Sequence, residues 1–419
     1  MTVSEYEAVP AVAADHGTPR LGTVVMKFGG TSVGDPERIR NVARRLVSAR
    51  DRGARVVGVV SAMGDTTDEL LDLARQVSAA PDPRELDMLL SVGERISCAL
   101  VAMAARDLGR EAISLTGSQA GIVTDTVHTK AKIVEVRAKR IHDALDDDRI
   151  VLVAGFQGMS TDRNITTLGR GGSDTTAVAL AAPLGADACE IYTDVEGVFS
   201  GDPRVVPDAR KLDAVTYEEM LEMAAAGARV LQLRSVEFAR NHGVRLHVRS
   251  TFTDEPGTWV TEETDPMLEK AMISGITHTV EEAVYRVHGS TPAVLFSALA
   301  KRHVNVDTIV QTSADVIVFS APLDDRAATA AVLDALGASW SEHDDLGKVS
   351  IVGAGMKSHP GIAARTFTTL HDAGIEPQFV STSPIKIAFY VPHGEVDRAV
   401  AALHAAFELG SPEAERGES

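Results

Sequence analysis

The chain has 419 residues, of which 44% are hydrophobic and only 4% aromatic, and its charges sum to −18. At roughly 150 residues per domain, this length predicts two or three domains. Its two cysteines exclude a disulfide framework or a structural zinc site and suit a reducing compartment. So acidic a surface argues against a nucleic-acid partner. We find no apolar run of about 18 residues, so we expect no membrane partner and a cytoplasmic location.

The first part of the chain alternates apolar strands with amphipathic helices. Ile39, Val42 and Leu46 share one face of a helix that Asp35 can cap, and Thr66 with Glu69 has the spacing of a capping box. This alternation predicts a mostly parallel sheet sandwiched by helices, with ligands bound at the carboxyl ends of its strands. The predicted strands are 24–28, 56–60, 150–154, 189–192 and 246–248.

A turn-rich break at 253–257 separates this part from a repeated βαββα pattern. The repeat predicts two small ferredoxin-like modules, and neither contains an obvious nucleophile or base. The predicted organisation is a disordered leader (1–20), a catalytic domain (21–255), a linker (256–275), a first module (276–346), a second module (347–409) and a disordered tail (410–419).

The segment KFGGTS at 27–32 ends a predicted strand and leads into a helix. Its two glycines let backbone N–H groups approach an anion, and the helix N-terminus adds a partial positive charge. Lys27 precedes the glycines, so this is not the P-loop pattern. The pattern favours a phosphate site over a simple tight turn.

A second glycine-rich loop, TTLGRGGSDTT at 166–176, precedes another helix. Its arginine can fork onto a carboxylate or phosphate, and its aspartate can orient a lysine or a metal-bound phosphate. A structural loop rarely combines three glycines, an arginine and an acid, so a functional loop is favoured. The acidic loop 193–204 lacks the EF-hand spacing, and no protein metal site is predicted.

Six motifs together resemble the aspartate kinases of the amino-acid kinase superfamily. They are KFGGTSV from Lys27, SAMGDTTDEL from Ser61, GERIS from Gly93, TGSQAG from Thr116, TTLGRGGSDTT from Thr166 and YTDVEGVFSGDPR from Tyr192. The resemblance runs from about Val24 to Leu409, and the repeats then resemble paired ACT modules. It implies an amino-acid kinase fold followed by two βαββαβ ACT modules, and phosphorylation of the side-chain carboxylate of L-aspartate by ATP with Mg²⁺.

The resemblance also implies a role for individual residues. Lys27 and Asp174 are the expected catalytic pair, Glu94 is expected to bind the substrate ammonium, and Arg170 a substrate carboxylate. Ser61 and Ser173 are the other expected substrate contacts. The expected nucleotide contacts are Lys27, Phe28, Gly29, Gly30, Thr193, Asp194, Ser200, Arg204 and Arg229.

Two departures from the family pattern matter. Arg229 stands in Gly-Ala-Arg, where relatives commonly have Gly-Ser-Lys, which changes the geometry of the charge. In the first ACT module, the charged effector loop of relatives is replaced by the shorter GSTPA at 289–293, and the turn at 311–315 is also trimmed. Because an amino-acid effector needs partners for its charged groups, we expect weakened feedback by lysine or threonine, and a homo-oligomer assembled through the ACT modules.

Two other functions compete with this interpretation. A kinase acting on glutamate or another amino acid would share the sheet and the phosphate loops, although GERIS combined with GRGGSD favours aspartate. A catalytically inactive amino-acid sensor is the second alternative, and the presence of Lys27, Arg170 and Asp174 argues against it.

Overall fold

The computed structural model describes residues 22–262, 272–313, 315–354, 356, 359 and 361–410. The predicted leader, nearly all of the predicted tail and most of the predicted linker lie outside these residues. The helices are α1 Pro36–Asp51, α2 Thr66–Val77, α3 Pro83–Leu90, α4 Val92–Asp107, α5 Lys139–Asp146, α6 Gly172–Ala181, α7 Tyr217–Ala225, α8 Leu233–His242, α9 Pro292–Lys301, α10 Arg326–Ala335, α11 Gly361–Asp372 and α12 Val396–Ala406.

Twenty strands lie in the described residues. They are β1 Thr23–Phe28, β2 Arg55–Val60, β3 Ala112–Leu115, β4 Ile122–Thr124, β5 Ile133–Val136, β6 Ile150–Ala154, β7 Gln157–Ser160, β8 Ile165–Thr167, β9 Ala188–Thr193, β10 Ala214–Thr216, β11 Leu246–Ser250, β12 Thr258–Thr261, β13 Met272–Thr279, β14 Glu282–His288, β15 Ile309–Ser313, β16 Val316–Pro322, β17 Ser339–His343, β18 Leu346–Ala354, β19 Phe379–Ser383 and β20 Lys386–Pro392.

The central sheet has eight strands in the order β10-β12-β11-β9-β1-β2-β6-β3, and the pairing of β11 with β12 is its one antiparallel neighbour contact in the described residues. Helices α1 and α4 cover one face, while α5 to α8 cover the other. Strands β2 and β6 are buried almost throughout because helices shield them from both sides. The predicted α/β fold class is confirmed.

Two predicted helix starts differ in outcome. Asp35 caps α1 by accepting hydrogen bonds from the N–H groups of Glu37 and Arg38, with Pro36 in the first turn. The capping box predicted at Thr66 is wrong, because Asp65 occupies the N-cap of α2 and no side-chain cap bond forms there. A complete capping box instead starts α7, where Thr216 and Glu219 bond reciprocally.

Replacing Thr216 with alanine should therefore lower the free energy of unfolding by about 1 kcal/mol, because the N–H of Glu219 loses its partner. Thr66→Ala is the matched control, and it should change that free energy by less than about 0.5 kcal/mol. Urea unfolding of both variants measures the difference. Equal effects would contradict the assignment of the cap to Thr216.

Two smaller four-stranded sheets form the two modules predicted after the break in the chain. The first has the order β15-β16-β14-β17, with α9 and α10 packed on it. The second has the order β13-β18-β20-β19, with α11 and α12. Between the two sheets lies buried Lys348, whose ammonium is 2.5 Å from a carboxylate oxygen of Glu282 and 2.7 Å from one of Asp307. A cation of the second module thus joins two acids of the first.

The structure differs from the predicted module boundaries at two strands. Thr258–Thr261, placed in the predicted linker, pairs with β10 and β11 in the central sheet. Met272–Thr279 spans the predicted start of the first module, yet it pairs antiparallel with Leu346–Ala354 in the second. The second module therefore takes its edge strand from a segment that precedes the first.

Helices α3 and α4 follow each other almost without a break over Pro83–Asp107. Among the described residues, this is the one helical segment long and apolar enough to cross a membrane. Half of its most apolar window is buried inside the molecule, where Val101 and Ala105 pack in the core beneath α1. A core helix passes the same test of length and composition, so the absence of a membrane partner stays a prediction.

Candidate active site

Four parallel strands bring their carboxyl ends together at one edge of the central sheet. The N–H of Gly29 donates to the carbonyl of Tyr192 at 3.3 Å, and the N–H of Ser61 donates to the carbonyl of Phe28 at 3.1 Å. The N–H of Gly155 donates in turn to the carbonyl of Val60 at 3.1 Å. The loops that follow β1, β2, β6 and β9 are thereby held side by side.

Lys27 and Asp174 form an ion pair in this region. The ammonium of Lys27 lies 2.5 Å from a carboxylate oxygen of Asp174, and the two side chains are only 12% and 9% exposed. Asp174 lies in the first turn of α6, a helix preceded by Gly171 in the left-handed conformation at φ 69°. The structure thus places a buried cation beside a helix N-terminus, the combination that stabilises a phosphoryl group.

Gly30 lies where the chain approaches its neighbours too closely for a side chain. A Cβ atom there would lie 3.0 Å from the carbonyl oxygen of Ala62 and 3.1 Å from that of Gly64. Because both neighbours are backbone atoms, a side chain at this position would force the loop to shift by a few tenths of an ångström. Glycine therefore lets the loop after β1 pack closely on the loop after β2.

Glu94 is a buried carboxylate beside the loop that follows β2. The residue is 3% exposed, and one carboxylate oxygen accepts a hydrogen bond from the N–H of Ala62 at 3.2 Å. The other oxygen is buried with no hydrogen-bond partner among the described residues. Burial raises the pKa of Glu94 to about 7, and the hydrogen bonds from backbone N–H groups offset part of that rise. A buried oxygen in need of a donor suits an ammonium group.

The two serines of the predicted substrate site lie on neighbouring loops. Ser61 directly follows β2 and is partly buried, while Ser173 is 8% exposed in the first turn of α6. The start of α6 packs closely against Gly155, where a Cβ atom would meet the Ser173 hydroxyl oxygen at 2.6 Å. This close packing fixes the position of Ser173 relative to β6.

Arg170 lies on the surface of its loop. Its side chain is 84% exposed, and its guanidinium lies 3.7 Å from Asp324, in the short 3-10 turn after β16 of the first ACT module. Lys130 lies 3.4 Å from the adjacent Asp325. The predicted substrate-binding arginine is thus turned toward the first ACT module.

The predicted nucleotide residues fall into different surroundings. Thr193 ends β9 and Asp194 follows it, next to Tyr192, whose carbonyl accepts from Gly29. The Thr193 hydroxyl donates to the Asp194 carboxylate at 3.0 Å. Phe28 is fully buried: its ring stacks on Tyr192 at 4.8 Å, and its carbonyl accepts from the N–H of Ser61. No part of Phe28 is therefore exposed to a nucleotide in this structure.

Two of the predicted nucleotide residues are exposed arginines that already hold acids. Arg204 is 85% exposed and pairs with Asp202 at 2.6 Å, which lowers the pKa of that carboxyl. Arg229 is 68% exposed and pairs with Glu281, in the turn before β14, at 2.5 Å. A nucleotide would have to compete with these acids for both guanidinium groups.

The structure contradicts the nucleotide role predicted for Ser200. The residue is fully buried, and its hydroxyl contacts His404 Nε2 at 3.0 Å and the carbonyl of Leu409 at 2.9 Å. It also accepts from the N–H of Arg210 at 2.9 Å. Ser200 therefore anchors the C-terminal helix α12 to the domain of the central sheet, and its hydroxyl has no capacity left for a nucleotide.

Sequence reasoning missed Asp87, which binds Thr167 of the glycine-rich loop. This fully buried carboxylate accepts hydrogen bonds from the N–H of Thr129 at 3.1 Å and the hydroxyl of Thr167 at 2.5 Å, and it contacts His128 Nδ1 at 2.6 Å. From α8, Arg234 donates to the carbonyls of Leu168 and Ala131. The only signal in the sequence was one acid in the otherwise apolar run 86–90.

The described residues contain no group of three or more histidine, cysteine, aspartate or glutamate side chains placed to hold a metal ion. Asp174, in the first turn of α6, and Asp194, directly after β9, are two carboxylates near Lys27 and Gly29. Magnesium in phosphoryl-transfer sites is bound by one or two carboxylates together with phosphate oxygens and water. These two acids fit that mode of binding.

Comparisons with known proteins identify the family of the chain. The family model of the amino acid kinase family matches residues 22–250, and an ACT domain model matches residues 349–407. An aspartokinase of Mycolicibacterium smegmatis is 53% identical, over 93% of this chain and 97% of the relative. Aspartokinase 2 of Bacillus subtilis is 48% identical, over 93% and 98%.

A solved structure shows the same fold. Aspartokinase III of E. coli, in complex with aspartate and ADP, superposes with a TM-score of 0.83, over 92% of this chain and 99% of that chain, at 24% identity. At that identity the likeness concerns the fold alone, whereas the relatives near 50% identity establish the family. The family resemblance predicted from the motifs is confirmed, and the chain belongs to the aspartokinases within the amino acid kinase family.

Proposed function

We propose that the edge of the sheet around Lys27 transfers the γ-phosphoryl group of ATP to the side-chain carboxylate of L-aspartate, giving 4-phospho-L-aspartate. Membership of the aspartokinase family makes the chain an ATP-dependent aspartate kinase. The single observation that carries the assignment of the site is the buried Lys27–Asp174 pair at the carboxyl ends of β1, β2, β6 and β9.

The phosphoryl group would lie between Lys27, the N–H group of Gly30 and the N-terminus of α6. The N–H of Gly29 would join them by releasing its 3.3 Å bond to the carbonyl of Tyr192. A carboxylate attacking a phosphoryl group brings anions together, so catalysis depends on positioning and on neutralising charge. The aspartate carboxylate is already ionised at pH 7, so no general base is needed. The ion pair with Asp174 would hold the Lys27 ammonium beside Gly29 of the loop.

The substrate would be held by its two other charged groups. The free oxygen of Glu94 would accept a hydrogen bond from the ammonium, and Arg170 would bind a carboxylate. An ion pair between exposed groups such as Arg170 and Asp324 is worth about 0–1 kcal/mol. The substrate carboxylate can therefore displace Asp324 from Arg170 at little cost, with Ser61 and Ser173 on the adjoining loops.

Mg²⁺ would accompany ATP, held by phosphate oxygens with Asp174 or Asp194, and it would supply charge neutralisation at the phosphates. Thr193 and Asp194 would flank the nucleotide beside Gly29. Arg204 and Arg229 would reach it by releasing Asp202 and Glu281.

We further propose a kinase domain followed by two ACT modules, homo-oligomeric assembly through these modules, and a cytoplasmic location. Both cysteines, Cys98 and Cys189, are buried free thiols, which fits a reducing compartment. Feedback by lysine or threonine is expected to be weak. The loop between β14 and α9 has only three residues, none of them charged, and one of them, Thr291, is occupied in capping α9.

Hydroxamate formation with ATP and Mg²⁺ tests substrate and feedback together. We expect product from L-aspartate, much less from L-glutamate, and no loss of rate with millimolar lysine plus threonine. Preference for glutamate would contradict the substrate assignment. Full inhibition by the two amino acids would leave the kinase in place but refute the weakened feedback. No product from either acid, with ATP still bound, would favour the sensor.

A further inference from the structure

A basic groove outside the proposed active site runs along the exposed face of α1. It has a volume of about 780 Å³, and its walls are α1, the ends of β9 and β11, and the loop after β11. Four arginines line it, namely Arg44, Arg45, Arg52 and Arg249. Such a concentration of cations stands out in a chain whose net charge is −18. We call this feature the α1 groove.

Two of these arginines already contact groups of the protein itself. Arg45 donates to the carbonyls of Thr251 and Thr253 and pairs with Asp254 at 3.1 Å, so its guanidinium holds the loop wall. Arg249 lies 3.6 Å from Glu190, and its Nε is buried without a hydrogen-bond partner in the described part of the chain.

The other two arginines carry uncompensated charge. Arg44 and Arg52 donate to the neutral side-chain oxygens of Asn41 and Ser48, and neither arginine has a carboxylate within ion-pair distance in the described residues. Both side chains are exposed. They lie eight residues apart, about 12 Å along the helix axis. The α1 groove therefore suits a ligand with more than one anionic group.

We propose that the α1 groove binds a phosphorylated small molecule carrying two or more negative charges. Guanidinium groups bind phosphate oxygens through paired hydrogen bonds, and the groove has the volume of an ordinary small-molecule site. The Phe252 ring, 49% exposed and stacked under Arg38 at 5.3 Å, offers an aromatic surface at the rim.

The wall of the α1 groove is joined to the phosphate loop. The hydroxyl of Thr251 lies 2.6 Å from that of Ser32, in the loop that starts after Lys27, and the carbonyl of Thr251 accepts from Arg45. A ligand that shifts this wall would act on Ser32 through one buried hydrogen bond. The site thereby offers a route for an anion to influence phosphoryl transfer.

Calorimetric titration of the full chain with inorganic tripolyphosphate tests the proposal, without nucleotide and at physiological salt. The Lys27→Ala background removes the anion site at the proposed active site, so that the remaining binding reports the α1 groove. In that background we expect one binding event, weakened about tenfold or more by Arg44→Gln with Arg52→Gln, since two charge-assisted bonds are lost.

The matched control is Arg140→Gln with Arg302→Gln, which removes two exposed arginines from other surfaces and should change the affinity less than twofold. Circular dichroism and thermal melting establish that the Lys27→Ala background folds, with and without each double substitution. Three outcomes overturn the proposal: no binding in the Lys27→Ala background, equal binding by the Arg44 and Arg52 variant, or an equal loss in the control. None of these readouts depends on kinase activity, so failure here leaves the proposed function untouched.

Discussion

Lys27→Ala is expected to lower kcat by at least about a hundredfold, because a preorganised charge beside the transferring group is lost. Lys27 is 12% exposed, so water cannot replace its ammonium in the same position. A coupled assay of ADP release at saturating aspartate and ATP measures the change. Lys139→Ala, which removes an exposed lysine at the start of α5, should leave kcat unchanged.

The single substitution also leaves Asp174 buried without its cation, which can destabilise the protein by itself. The double variant Lys27→Met with Asp174→Asn separates the two effects, because it removes both charges of the pair. We expect it to melt near the wild-type temperature and to remain inactive. A folded variant with turnover within tenfold of wild type would refute the assignment of Lys27.

Glu94→Gln is expected to raise KM for aspartate by about ten- to a hundredfold, because one charge-assisted hydrogen bond to the ammonium is lost. The amide side chain of this variant would retain an oxygen for the N–H of Ala62, so the local fold should be preserved. Glu85→Gln, which changes an exposed acid in α3, is the control and should leave KM unchanged.

The pH dependence of aspartate binding follows from the same carboxylate. Since burial raises the pKa of Glu94 to about 7, its ionised fraction falls as pH drops from 8 to 6. KM for aspartate should therefore rise about tenfold over this interval, and the rise should be absent in Glu94→Gln. An identical pH profile in wild type and variant would show that Glu94 does not meet the ammonium.

Ionisation of Glu94 favours aspartate binding, but it lowers the free energy of unfolding of the free enzyme. The pKa of Glu94 is about 7 in the native state and ordinarily 4.5, so the native state holds this proton more tightly than the unfolded state does. Between these two values the wild type loses stability as pH rises, and the loss is complete above pH 7. Glu94→Gln should thus be more stable than wild type at pH 8, by about 3 kcal/mol, with the difference vanishing below pH 4.5. The buried Glu94 carboxylate thus increases affinity for aspartate and lowers the stability of the free enzyme.

Local patterns were enough to predict most of the elements around the site. Strand Ile150–Ala154 has the predicted bounds, because its apolar run is contained in the segment itself. The phosphate loop and the glycine-rich loop were also visible, since only glycine and a few polar residue types suit their conformations. The family resemblance predicted that Lys27 and Asp174 act together, and the structure shows that they form an ion pair at 2.5 Å.

Features that depend on distant partners could not be predicted. Met272–Thr279 lacks a continuous apolar run, and its partner strand lies about seventy residues further along the chain. Ser200 belongs to a loop whose composition suggests ligand binding, but α12, two hundred residues away, covers it. Asp87 is an acid inside an apolar helix face, and its partners come from two other segments of the chain.

The exchange of Met272–Thr279 into the second module has a consequence for synthesis on the ribosome. Residues 272–279 emerge well before their partner strand Leu346–Ala354, and the whole of the first module is made in between. During that interval this strand has an unsatisfied edge, and the second module cannot be completed from its own later residues. A fragment starting near residue 345 would therefore be short of an edge strand, and the two modules cannot be separated by a single cut between them.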